Sequence, residues 1–523
     1  MKLTILATSD THGFIPPTNF VDIADDKPYG LEKAAAVIKK YKQDHPDEIT
    51  LTIENGDFLE GSPLAYFTAT KANAKQRQAY TECYNAVDYD IGTIGNHEFD
   101  YGLDYLHYCI NQSDRKFLCA NVVDSQGVPL LGKPYTIINK AGLKIGILGL
   151  TTTSARKWKN INQLNDFHLE SAVAVAKKYV PFLQKYADVV VVAYHGGFER
   201  DLSGTWTDIT PGENEGYALL EQVPGIDALI SGHQHRKLAN HLFGVPLVQP
   251  GHRGEFVGKI TLDIDDKTKR VFTGTPNLMS CAPATEDSQI VATLAPLEKP
   301  LEKWLDQPLS HIKGDLTFAN AAQARLEETA FTEFIQTVQM ATMGTDISAT
   351  ALYNNEAHGF ENPITMRNII TNYVYPNTLA VVRITGADLR AALEVSARYF
   401  AINEKTNDIV VNPRFLFPKH RFYNYDMYEG IDYELNIANP IGQRVTKLKY
   451  HGHDLHDEQI LDVALNKYRA TGGGHYPMFD ESKIIRRNNT TMSQLIFEYL
   501  ENHPVVVAKN NHNFQVVNKP QCN

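Results

Sequence analysis

Short apolar runs broken by polar, glycine-flanked turns recur through the first half of the chain. They are LTILATSD (3–10), ITLTIENGD (49–57), DIGTIGN (90–96), FLCANVV (117–123), KIGILGLTT (144–152), DVVVVAYHGG (188–197) and IDALISGHQH (226–235). Runs of this length, rich in β-branched residues and bounded by turn formers, predict buried strands. In GLEKAAAVIKKYKQD (30–44) and ESAVAVAKKYVPFLQKY (170–186) the apolar residues recur instead at helical spacing. Strands alternating with helices predict an α/β fold around a largely central sheet.

Beyond position 285 the texture changes. SQIVATLAPLEKPLEKWLDQ (288–307) has helical spacing and reads as a bridging helix. TAFTEFIQTVQMATMG (329–344) and TGADLRAALEVSARYF (385–400) predict further helices, while TLAVVRI (378–384) and GIDYELNI (430–437) predict strands. At 523 residues the chain exceeds one ordinary core. The expected organisation is a domain over 1–285, a helical linker region over 286–324 and a smaller α+β domain over 325–523.

Composition narrows the classes. A hydrophobic fraction of 43% and a charged fraction of 21% are those of a globular protein. The net charge of −11 argues against a nucleic-acid polymer as partner. It leaves room for a small anionic ligand, because a bound cation reverses the local field. The cysteines Cys83, Cys109, Cys119, Cys281 and Cys522 are odd in number and contain no C-x-x-C pair, so neither a disulfide framework nor a structural zinc site is expected. The apolar run in MKLTILATSDTHG is shorter than a secretory signal requires, and no run reaches the ~18 apolar residues of a membrane span. The expectation is a cytoplasmic protein, or an exported one if a leader has been removed, with no membrane partner and no obligate protein partner.

The candidate chemistry sits where the strands stop. Asp10 and His12 follow the first strand, Asp57 the second, Asn96 and His97 the third; His195 ends a later one, and His233 and His235 follow the next. Residues two apart in extended chain share a face, and ligands of open α/β sheets gather at the carboxyl ends of strands. Two aspartates, one asparagine and four histidines suit manganese, zinc, cobalt or iron(II) better than the oxygen-preferring magnesium and calcium. Seven donors exceed one catalytic zinc site. They match two ions about 3.5–4 Å apart that share a carboxylate, as two-metal hydrolases use. Asp57 is the central candidate for that shared ligand. One D-x-H or G-H-x-H alone is common in loops; five such groups, every one at a strand end, are not.

The ordered set D-x-H, GD, GNHE, H, GH-x-H resembles the calcineurin-like metallophosphoesterases, over roughly residues 1–260. The resemblance implies a four-layered α/β/β/α core. It implies one metal on Asp10, His12, Asp57 and His235, and another on Asp57, Asn96, His195 and His233. His97, directly after Asn96 in an extended turn, is expected to point to substrate, where it would stabilise phosphoryl charge or protonate the leaving oxygen. Asp100 would hold its tautomer, a role the family gives to this His–Asp pair. Glu98 is read as capping the following turn.

In the second domain, HRFYNYDMYEGIDYELNI (420–437) and NKYRATGGGHYPMF (466–479) combine aromatics with glycines. Two rings from two such loops would sandwich a base, at about 1–3 kcal/mol per stacked base; aromatic clusters also serve as core. These stretches, with YPNTLAVVRITGADLRAALEVSARYF, resemble the C-terminal domain of 5′-nucleotidases over roughly 325–500. The likeness is greatest to the bacterial bifunctional 2′,3′-cyclic-nucleotide 2′-phosphodiesterase/3′-nucleotidase branch. That branch implies a base clamp, with Tyr476 as one jaw and Tyr425, or Tyr423, as the other. The 5′-nucleotidases carry an arginine cluster for the 5′-phosphate, whereas ALYNNEAHGFENP (351–363) has no arginine; Asn354, Asn355 and His358 stand there instead. The expected function is dinuclear metal-dependent phosphoester hydrolysis of a small-molecule nucleotide, as 2′,3′-cyclic-nucleotide 2′-phosphodiesterase/3′-nucleotidase. The alternatives are a 5′-nucleotidase or UDP-sugar hydrolase and, second, a non-catalytic nucleotide-binding protein.

Overall fold

β1 (Lys2–Thr8) is buried at every position but its first. It pairs in parallel with β2 (Ile49–Glu54), and β3 (Ile91–Thr93) and β4 (Lys116–Leu118) continue that sheet. The computed structural model describes residues 1–21, 26–153, 168–207, 212–356, 358–375, 377–417 and 419–519. The stretch expected as one strand at 117–123 is two, because β5 (Val122–Val123) leaves β4's sheet. The remaining strands of this part are β6 (Tyr135–Lys140), β7 (Leu143–Thr151), β8 (His168–Leu169), β9 (Val189–His195), β10 (Ala228–Ser231), β11 (Lys237–Leu242), β12 (Val245–Pro250), β13 (Phe256–Ile264) and β14 (Val271–Ser280). β5 pairs with β8.

Two six-stranded sheets result, in the orders β14-β13-β1-β2-β3-β4 and β11-β12-β10-β9-β7-β6. A single central sheet is therefore not what forms. Alternate residues of β9 show why: Val189 and Val191 pack with Leu3, Ile5, Leu51 and Ile53 of the first sheet. Val190 and Val192 face the opposite way, onto Val173, Val180 and Leu183 of the helix Ala172–Tyr186. A strand buried on both faces loses its polar alternation and reads as one apolar run. On the first sheet's other face Thr4 meets Tyr41 of the helix Leu31–Asp44, Oγ1 to Oη 3.5 Å. Helix, sheet, sheet and helix make the four layers.

The chain divides into two compact units, Met1–Leu301 and Glu302–Asn523. The point of division falls inside the helix Ser288–Leu305, so residues 286–324 are shared between the units rather than standing apart as a linker. The second unit is built on a five-stranded sheet in the order Met427–Glu429, Ile347–Thr350, Ile460–Asn466, Thr378–Thr385, Ile484–Thr491. The helices Ala330–Met343 and Gly386–Ala397 each start at a threonine capping box, Thr329 and Thr385. No described helix is long and apolar enough to cross a membrane.

Candidate metal centre

The carboxyl ends of β1, β2 and β3 from one sheet and of β9 and β10 from the other meet. His195 Nε2 lies 3.1 Å from Asp57 Oδ2 and 3.9 Å from Asp10 Oδ1. His235 Nε2 is 3.4 Å from Asp10 Oδ1 and 3.1 Å from His12 Nε2. His233 Nδ1 is 2.7 Å from Asn96 Oδ1. All seven predicted donors are thus brought together, in two groups: Asp10, His12 and His235, and Asp57, His195 and His233 with Asn96 beside them.

The backbone that delivers them is not extended, as the two-apart argument supposed. Asp10, His12, Asp57, His233 and His235 all have left-handed φ, between 52° and 66°. That conformation costs about 1–2 kcal/mol per residue, and aspartate and histidine are among the residues that tolerate it best. Five such residues in one cluster mark a functional site. The turns brace one another: Asp10 N–H donates to Gly56 O at 2.9 Å, and His12 N–H to Asp57 O at 2.8 Å. Gly95 has to be glycine, because a Cβ there would overlap Asp57 Oδ1.

Three of the four imidazoles have their tautomer set from behind. His12 Nδ1–H donates to Glu60 O at 2.8 Å and His195 Nδ1–H to Asn55 O at 2.6 Å, which turns both Nε2 lone pairs inward. His233 is reversed: its Nε2 meets Glu213 Oε1 at 2.9 Å, so Nδ1 is the atom offered to the cluster. Glu213 was not read from the sequence. His252, also unread, stacks on His235 with ring centroids 4.9 Å apart and 8° between planes.

Electrostatics fit a cation site. Burial pulls the His195 imidazole down, but the Asp57 and Asp10 carboxylates outweigh it and push it up to about 10. Burial raises Asp57, yet His195 and His97 hold it well below the usual carboxylate range. Burial keeps His12 below its ordinary value. Asp10 and His195 are wholly buried, and Asn96 Nδ2 is buried with no hydrogen-bond partner. A buried set of mixed nitrogen and oxygen donors, some balancing each other only by holding a proton, is what borderline divalent cations require.

His97 opens a 3-10 turn, His97–Phe99, rather than an extended one. The turn separates it from Asn96 and lets its N–H donate to Asp57 Oδ1 at 2.7 Å. Its Nδ1 lies 2.9 Å from Asp100 Oδ2, the expected partner, and 3.0 Å from Glu60 Oε2, which was not expected. Glu98 does more than cap a turn. Its buried carboxylate accepts N–H groups from Gly95 at 2.6 Å, Asp57 at 2.8 Å, Phe58 at 2.7 Å and Leu59 at 3.2 Å. It therefore moulds the loop that carries Asp57.

The two principal clamp tyrosines are core residues, and this corrects the sequence reading. Tyr425 and Tyr476 are both 0% exposed. The Tyr476 hydroxyl bonds Ser396 Oγ at 2.7 Å and Asn424 O at 3.0 Å. The Arg469 guanidinium covers its ring at 3.9 Å, and Phe479 lies parallel to it at 5.9 Å. Tyr425 packs on Phe400 and Tyr399. Neither ring has a face left for a base. The glycine run explains the misreading: a Cβ on Gly474 would strike Arg469 Nη1, so glycine there makes room for the buried Arg469–Asp426 pair. Tyr423 is partly exposed, its ring 6.5 Å from that of Tyr375. In the arginine-free segment, Asn355 Oδ1 accepts from Arg325 Nη2 at 2.8 Å, and Asn354 Nδ2 donates to Thr371 O at 2.6 Å. His358 O accepts from Phe318 N–H at 3.0 Å.

Comparison with known proteins agrees with both halves. The family model for calcineurin-like phosphoesterases matches residues 3–237, and that for the 5′-nucleotidase C-terminal domain matches residues 308–481. A 2′,3′-cyclic-nucleotide 2′-phosphodiesterase/3′-nucleotidase of Haemophilus influenzae is 28% identical over 96% of this chain and 84% of its own length. The trifunctional nucleotide phosphoesterase protein YfkN of Bacillus subtilis is 25% identical over 99% of this chain, which spans 39% of that protein's length. Among solved structures, a putative 5′-nucleotidase from Staphylococcus aureus, in complex with alpha-ketoglutarate, superposes with a TM-score of 0.90. It is 34% identical, covering 99% of this chain and 100% of that one.

Proposed function

The chain belongs to the calcineurin-like phosphoesterases that carry a 5′-nucleotidase C-terminal domain, metal-dependent hydrolases of phosphoester bonds, and we propose that its substrates are 2′,3′-cyclic nucleotides and 3′-nucleotides. The convergence of seven donors from five strand ends carries the hydrolytic chemistry. The ester preference rests on the segment 351–363, which has no arginine to meet a 5′-phosphate. Arg325, which does reach that segment, is committed to Leu352 O and Asn355. Relatives named for the cyclic and 3′ activities, at 27–28% identity, support the same choice.

Asp10, His12, Asp57, Asn96, His195, His233 and His235 would hold two divalent cations of the manganese, zinc, cobalt or iron(II) class, with Asp57 shared. Bound there, such ions supply Lewis acidity toward the phosphoryl oxygens and a nucleophile at neutral pH. The chain's own part falls to His97. Asp100 and Glu60 hold its Nδ1, which leaves Nε2 to face the phosphoryl group or give a proton to the departing ribose oxygen. Opening a 2′,3′-cyclic ester at its 2′-oxygen yields a 3′-nucleotide, and the same site then releases phosphate. Tyr423 is the remaining candidate for base contact in the second unit.

A 5′-nucleotidase is the second reading, favoured by the resemblance to the Staphylococcus aureus protein. Turnover of 2′,3′-cAMP, 3′-AMP, 5′-AMP and UDP-glucose, each with Mn²⁺, Co²⁺, Zn²⁺ or Mg²⁺, separates the two. The proposal expects the first two substrates to dominate. Preference for 5′-AMP or UDP-glucose overturns it, and no turnover of any would favour a binding protein.

A further inference from the structure

A second group of acids lies in the other unit. Glu328 stands just before the helix Ala330–Met343, Glu333 in its first turn, and Glu429 at the end of the strand Met427–Glu429. One carboxylate oxygen from each lies within 4.8 Å of the others. The three residues are only 3%, 9% and 6% exposed, and none forms an ion pair with lysine or arginine among the described residues. Lys509 and His512 act on Glu333 from beyond ion-pair distance, and Glu328 and Glu429 have no cationic neighbour among the described residues, so three carboxylates this close are unfavourable together.

Their hydrogen bonds are organised as those of ligating carboxylates are. Asn513 N–H donates to Glu328 Oε2 at 3.2 Å, and Asn511 N–H to Glu333 Oε2 at 2.9 Å. Asn511 Nδ2 and Gly430 N–H donate to Glu429 Oε1 at 2.9 and 3.0 Å. The opposite oxygens, Glu328 Oε1 and Glu429 Oε2, are buried and receive no donor from any other described residue, and there the two carboxyl groups meet only each other. Asn513, whose N–H reaches the cluster, also has a buried Oδ1 without a partner. Donors thus orient one side of each carboxylate, while the oxygens of two of them are left over.

We propose that Glu328, Glu333 and Glu429 form a structural site for one oxygen-preferring divalent cation of the calcium class. The three proposed ligands are all carboxylates, in contrast to the histidine-rich centre of the first unit, and calcium takes carboxylate and amide oxygens at about 2.3–2.6 Å. A cation there would tie the start of the helix Ala330–Met343 and the strand Met427–Glu429 to the segment 510–513. Burial and the Glu429 carboxylate push Glu328 up to about 8, which is how the cluster relieves its charge when no cation is present.

Two measurements on the full chain test this. In the first, the chelator-stripped protein is titrated with CaCl₂ and its melting temperature followed. The unaltered chain should gain several degrees, and the double variant Glu328→Gln/Glu429→Gln should not. An equal gain in both would overturn the site and leave a carboxyl–carboxylate pair sharing a proton. In the second, crystals of the unaltered chain are soaked in TbCl₃, so the result does not depend on whether the variant folds. An anomalous peak among the three carboxylates is expected. A map with terbium elsewhere and none there would overturn the proposal.

Discussion

His12 and His235 face each other Nε2 to Nε2 at 3.1 Å, at the ends of strands from different sheets. The Nδ1–H of His12 is already donated to Glu60 O, so its Nε2 presents a lone pair to the other ring. Two basic nitrogens aimed at one point, with Asp10 Oδ1 3.4 Å from the second, would share a cation in the proposed centre. His12→Ala should therefore lower Mn²⁺ content at limiting metal, by about 10–100-fold in affinity. Equilibrium dialysis reads this directly, and an unchanged affinity would remove His12 from the centre.

Metal binding should release a proton. In the metal-free protein His195 is raised from 6.5 to about 10, so its ion pair contributes stability that is complete below 6.5 and lost as pH rises through about 10. Asp57 is depressed, so its contribution is present above the ordinary value of 3.8 and lost in acid as pH falls through its lowered value. Between those limits a cation competes with the proton on His195. Mn²⁺ affinity should rise about tenfold per pH unit between roughly 6.5 and 8.5. Calorimetry in buffers of different ionisation enthalpy should find about one proton released per chain on this account. Binding with no proton release and no pH dependence would contradict it.

His97→Ala should lower kcat by about 10²–10⁴-fold while leaving the metal content of the loaded protein unchanged. Mass-spectrometric metal analysis beside steady-state kinetics checks both halves. Full activity would exclude His97 from the chemistry.

Asp100→Asn and Glu60→Gln should each lower kcat by roughly tenfold, because both carboxylates meet the same Nδ1, at 2.9 and 3.0 Å. Since both act through one imidazole, either substitution should have little further effect once His97 is alanine. Undiminished losses in that background would show that the carboxylates act elsewhere.

Glu98→Ala would leave four buried N–H groups without their acceptor. A loss of about 3–5 kcal/mol in denaturant unfolding is expected, with weaker metal binding through the Asp57 loop. Stability and affinity both at wild-type level would contradict the role assigned to Glu98.

How much of this could be read beforehand depended on what a side chain's partner was. The donors stood out because Asp10, Asp57, Asn96 and His195 interrupt or end apolar runs, and the strand order then brings them together. The main role of Glu98, and Glu213 altogether, escaped the sequence, because the groups they serve, Asp57 and His233, are 41 and 20 residues away. The two sheets followed from the family resemblance and not from the hydrophobic pattern, because Val189 to Val192 are apolar on both faces and nothing in such a run says that two different layers receive them. The clamp failed because glycines beside an aromatic look the same whether they admit a ligand or, as at Gly474, a buried arginine.

The most direct test of the dinuclear centre is an anomalous difference map from a crystal of the full chain loaded with Mn²⁺. Two peaks roughly 3.5–4 Å apart, with the Asp57 carboxylate reaching both, are the predicted result. A single peak, or two with Asp57 turned aside, would contradict it.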